Sequence, residues 1–122
     1  MIDPELPLAA TNLVSLQERL LTKARDSHAR RAAETVYGGR DAILRQTTMA
    51  LLADVELPDH ESPPEATLQL LTGRVRLRGH DREWPLVAGD LIPIPPERHS
   101  VIALEDSVFL LTVRRAQEAP GG

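Results

Sequence analysis

Two regimes of apolar spacing divide the chain. In the first, Leu13, Leu16, Leu20 and Ala24 recur at helical intervals, with Val14 and Leu21 widening the stripe, so a helix is expected there. Thr11 or Asn12 can cap its start, and Ser15 with Glu18 has the form of a capping box one turn later. The segment DSHARRAAE, residues 26–34, reads as the fraying end of the same helix. Its apolar stripe must be buried, either against the protein's own sheet or against a partner subunit.

From Gly38-Gly39 onward, short apolar runs alternate with Gly, Pro and Asp. AILRQTTMALL (42–52), ATLQLL (66–71), RVRLR (74–78), EWPLV (83–87), LIPI (91–94), SVIAL (100–104) and VFLLTV (108–113) all read as strands. In RVRLR, Val75 and Leu77 share one face and three arginines the other. GHD and AGD are turns. Strands at such short, regular spacing argue for an all-β sandwich or barrel. Proline cannot donate to a ladder, so Pro93 and Pro95 mark an edge strand or a strand end. Gly73 marks a bulge or sharp bend that lets the inward-facing parity switch. The expected division is an N-terminal extension with one helix (1–37), a β-barrel (38–115) and a disordered tail (116–122).

Composition narrows the function. With 122 residues the chain fits one domain, and it contains no cysteine, which excludes disulfides, thiolate metal sites and cysteine nucleophiles. The formal charge is −4. Nucleic-acid binding calls for a basic footprint or an aromatic platform, and one Trp, one Tyr and one Phe supply no platform. No apolar run approaches the roughly 20 residues of a membrane span. The start MIDPELPLAA lacks the basic, apolar pattern of a signal peptide, so a cytoplasmic protein is expected.

Two segments carry a family resemblance. The first runs from Asp54 through VELPD-HESPPEATLQLLT to Gly73, and the second from Gly89 through DLIPI-PPER to His99. In type, order and spacing they resemble the two signature motifs of the cupin family, the first written G-x5-H-x-H-x3-4-E-x6-G and the second G-x5-P-x-G-x2-H-x3-N. The second keeps Gly89 and Pro95 at the expected offsets, with His99 one residue ahead of the motif's histidine. The resemblance covers roughly residues 42–113. It implies a double-stranded β-helix, a jelly-roll β-sandwich or barrel, here with an N-terminal helix, and it implies a homodimer by family habit.

The family's ligand positions are only half kept. His60 and His99 fall on its first and last histidines. Ser62 stands at the second histidine and Ala66 at the glutamate, while Asp54, Glu97 and Ala103 replace two glycines and an asparagine. A catalytic zinc usually takes three protein ligands, and non-haem iron takes two histidines and a carboxylate on one face. A divalent transition metal here (zinc, iron, manganese or nickel) would be held by His60, His99 and a displaced carboxylate. Glu65 is the first choice, re-aimed by the Ser62-Pro63-Pro64 bend, with Glu61 and Glu97 behind it. The short ligand count weighs against tight metal binding.

Ser62, Ala66, Leu68, Leu70 and Val101 are expected to line an apolar cavity beside the two histidines, suited to a small organic ligand. Three functions fit, in this order: a small-molecule-binding cupin with a reduced or absent metal site, a metal-dependent oxygenase, isomerase or cyclase, and a metal-free enzyme using His60 and His99 as proton carriers. His28 and His80 read as solvated surface residues. Arg74, Arg76 and Arg78 read as a solvated strand face with acidic partners.

Overall fold

A computed structural model describes residues 9–60 and 63–115, with the side chains of Asp59 and His60 outside that description. Among the described residues the helix α1 spans Leu13–Asp26 and is followed by nine strands: β1 Arg31–Tyr37, β2 Leu44–Leu51, β3 Glu56–His60, β4 Glu65–Thr72, β5 Arg74–Arg78, β6 Glu83–Val87, β7 Leu91–Pro93, β8 His99–Ala103 and β9 Ser107–Arg114. They form two sheets, one ordered β1-β2-β9-β4-β7 and the other β3-β8-β5-β6. The paired strands run antiparallel throughout. The expected all-β jelly-roll architecture with an N-terminal helix is what the chain adopts. The expected tail at 116–122 lies outside the described residues.

Alternation along the strands separates two apolar layers. Between the sheets, Leu51, Leu68, Leu70, Val75, Leu77, Leu86, Val101 and Phe109 pack together. On the outer face of the five-stranded sheet, α1 lays Leu16, Leu20 and Ala24 over Ala50, Leu52 and Val108. The helix stripe is thus buried on the protein's own sheet, and a partner subunit is not required to cover it.

Asn12 caps α1: its Oδ1 accepts the Ser15 backbone N–H at 3.0 Å, one of the donors a helix start leaves without an intrahelical partner. Ser15 therefore answers the cap instead of opening a box of its own, and its hydroxyl donates to the Asn12 carbonyl at 3.2 Å. Asn12→Ala is expected to cost about 1 kcal/mol. Hydrogen exchange should quicken in the first turn of α1 and leave the barrel strands unchanged.

Residues 31–37 differ from expectation. They form β1, paired with β2 from Arg31↔Leu51 to Tyr37↔Gln46, so the sheet begins at Arg31, ahead of the expected boundary at 38. The stretch RAAETVY is rich in helix formers, yet its exposure alternates strictly. Ala32 and Val36 join the layer under α1, and Glu34 reaches Arg19 of the helix at 3.8 Å. Burial against α1 overrides local propensity.

Prolines and charges fall as expected. Pro93 ends β7, which is an edge strand. Arg76 and Arg78 share Glu83 across the β5–β6 hairpin, at 3.5 and 3.1 Å. Exposed pairs of this kind add little stability.

Candidate functional site

Strand register builds the site in tiers. On the inward face of the five-stranded sheet, Val113 lies between Arg45 and Ala66, Leu111 between Thr47 and Leu68, and Phe109 between Met49 and Leu70. Each tier is two residues deeper along the barrel than the one before it. The deepest is closed: Phe109 and Leu70 are buried among aliphatic side chains of both sheets. The outermost is open. There a cavity of about 330 Å³ is walled by Arg45, Thr47, Ala66, Leu111 and Val113 from this sheet. Pro63 and Ile94 close its sides, and His99 and Arg115 complete the rim.

The expected site residues separate accordingly. His99 and Ala66 line the cavity. Leu68, Leu70 and Val101 do not: at 1%, 0% and 3% exposure they belong to the packed interior beneath it. Alternation put them on the inward face, but below the level of the cavity lining. His60 stands opposite His99 in the β3–β8 ladder, while its side chain, Glu61 and Ser62 lie outside the described residues.

His99 is 3% exposed. Its Nδ1 donates to the Glu97 backbone carbonyl at 2.9 Å, and because that oxygen only accepts, the neutral ring carries its proton on Nδ1. The Glu97 carboxylate is turned elsewhere: it accepts the His80 backbone N–H at 3.0 Å and faces Arg82 at 3.7 Å. Glu97 is a brace for the β5–β6 hairpin, not a ligand.

Glu65 also leaves the site. It neighbours Ala66 on β4, so the pleat sends the two side chains to opposite faces. Its carboxylate meets Arg114 at 3.1 Å on the outer surface and is 73% exposed. The bend before β4 does not re-aim it.

These placements bear on the metal that the motif resemblance implies. Among the described residues, no group of three His, Asp or Glu side chains is arranged to hold a metal ion. The glutamate position is Ala66, and Arg45 and Arg115 bring positive charge to the same space. The described lining does not fit a divalent cation.

Arg45, Thr47, Leu111, Val113 and Arg115 were not anticipated as site residues. The signal was present in the period-two run Arg45-Thr47-Met49-Leu51, whose last member is buried. An arginine at the end of an inward-facing row lines a mouth, even though arginine usually marks the solvent face.

No family model matches the sequence, and no curated protein matches it either. Solved structures do match. A conserved protein of unknown function from Streptococcus pyogenes is similar at 22% identity, over 75% of this chain and 80% of its own, with a TM-score of 0.66. A cupin superfamily protein from Desulfitobacterium hafniense is similar at 13% identity, over 70% of this chain and 78% of its own, with a TM-score of 0.64. An RmlC-like cupin protein from Desulfovibrio desulfuricans is similar at 25% identity, over 67% and 79%, with a TM-score of 0.57. Likeness at this level carries the fold and leaves the chemistry open. No described helix is long and apolar enough to cross a membrane. By its two antiparallel sheets, its motif spacing and these neighbours, the chain is a small cupin-fold β-barrel with an N-terminal helix.

Proposed function

We propose that the protein binds a small organic molecule in the cavity at the open end of its barrel, without a resident metal. The cavity itself carries the reading: about 330 Å³ of space above an aliphatic floor, with a few polar groups converging on it. Small-ligand sites are typically mostly apolar, with volumes of roughly 300–1,000 Å³. The absence of a carboxylate at Ala66 and the outward turn of Glu65 favour binding over metal-dependent chemistry.

Thermal unfolding of chelator-treated protein against a panel of small organic acids, amides, alcohols and amines tests this. A ligand at about 100 times its Kd stabilises by ~2.7 kcal/mol, which raises Tm by roughly 10 °C in a domain of this size. Ala66→Phe places a ring in the cavity and should abolish these shifts, with its own Tm within a few degrees of the parent. Shifts that persist in Ala66→Phe, or that return only when zinc or iron is restored, would overturn the proposal.

A further inference from the structure

Positive charge is concentrated in the described lining of the cavity. Among the described lining residues Arg45 and Arg115 are cationic and none is acidic. Arg45 projects from the inward row of β2, one tier above Thr47. Its Nε is buried and has no hydrogen-bond partner. Arg115 is held by its backbone N–H on the Ile43 carbonyl at 2.8 Å and by its guanidinium on the Arg40 carbonyl. A guanidinium has five N–H donors, so the Arg40 carbonyl leaves Arg115 with further capacity to donate.

We infer that the cavity takes a small organic carboxylate, with its two oxygens on Arg45 and Arg115 and its hydrocarbon body over Leu111, Val113 and Ile94. This rests on the reading of the cavity as a small-molecule site and names the class of ligand. The guanidinium fork matches a planar carboxylate, and both guanidinium groups belong to the cavity lining. The aliphatic walls require carbon on the rest of the ligand. Inorganic phosphate would satisfy the arginines but leave those walls uncovered. An amine would meet two like charges.

Isothermal titration with two matched sets decides the matter: trans-cinnamate, cinnamamide and cinnamylamine, then octanoate, octanamide and octylamine. In the parent protein the carboxylate of at least one set should bind at least tenfold more tightly than its amide, and the amine should not bind. Inorganic phosphate should not displace the carboxylate. Arg45→Met keeps a long apolar stem and removes the donor. It should weaken the carboxylate about 10- to 100-fold, as expected for the loss of a charge-assisted hydrogen bond, and leave the amide unchanged. Should Arg45→Met fold poorly, Arg115→Met gives the same comparison, and the ligand series on the parent needs no variant. Amide binding as tight as carboxylate binding, or displacement by phosphate, overturns the carboxylate assignment and leaves the small-molecule reading standing. Silence from all six compounds, together with no shift from any member of the wider panel, overturns both.

Discussion

Gly73→Ala should destabilise the barrel by about 2–5 kcal/mol, more than any other glycine-to-alanine change tested beside it, from a backbone penalty of about 1–2 kcal/mol and overpacking of about 1–3 kcal/mol. Gly73 joins β4 of one sheet to β5 of the other, and residues 104–106 make the return crossing from β8 to β9. The two crossings pass side by side. Gly73 has φ of 90°, and a Cβ there would lie 2.6 Å from Ser107 Cα and still closer to the Asp106 carbonyl oxygen and the Ser107 hydroxyl. Neither crossing can retreat. Ser107 Oγ accepts the Arg74 N–H at 3.0 Å and donates to the Glu105 carbonyl at 2.7 Å. Asp106 accepts the Ala53 N–H at 2.9 Å and meets Arg25 of α1 at 3.5 Å.

Two controls separate the contributions. Gly89 has φ of 98° but nothing within 4 Å of a built Cβ, so Gly89→Ala carries the backbone penalty alone, about 1–2 kcal/mol. Gly39 has neither feature, and Gly39→Ala should fall within about 0.5 kcal/mol of the parent. Urea unfolding of the three variants should give that order. A Gly73→Ala midpoint equal to that of Gly89→Ala would show that the crossings are not in contact.

Gly73 was legible in the sequence because a glycine between two alternating runs marks a place where the backbone bends and a side chain would be in the way. The register shift between Leu70 and Thr72 is the bend it serves. Gly89 and Pro95 were legible because their spacing survives the loss of everything else in the motif, and His99 because it falls within one residue of the motif's histidine. Two things were not. RAAETVY looked like fraying helix, because only the neighbouring α1 and β2 make its alternation meaningful. Depth along the barrel was also hidden. Period-two patterning says which face a residue occupies and nothing about how far from the mouth it lies. Leu68 and Ala66 share a face, yet Leu68 is fully buried in the core and Ala66 lines the cavity above it. Register between β2, β9 and β4 settles depth, and register is a tertiary fact.

That division into floor and rim makes the last prediction. Phe109 is 1% exposed and sits between Met49 and Leu70 in the deepest tier. The chain has one Trp, one Tyr and one Phe. Tyr37 is 56% exposed and Trp84 is only partly buried, so Phe109 is the fully enclosed ring on which the aliphatic interior packs. Phe109→Ala should cost about 3–5 kcal/mol, the transfer of the ring plus the cavity it leaves. Val113→Ala, two tiers toward the mouth and already beside open space, should cost only about 1 kcal/mol or less. Their effects on ligand should run the other way. Val113→Ala removes a wall and should weaken carboxylate binding measurably, whereas Phe109→Ala, measured well below its lowered Tm, should leave binding nearly unchanged. Equal stability losses at the two positions would mean that the cavity has no separate floor.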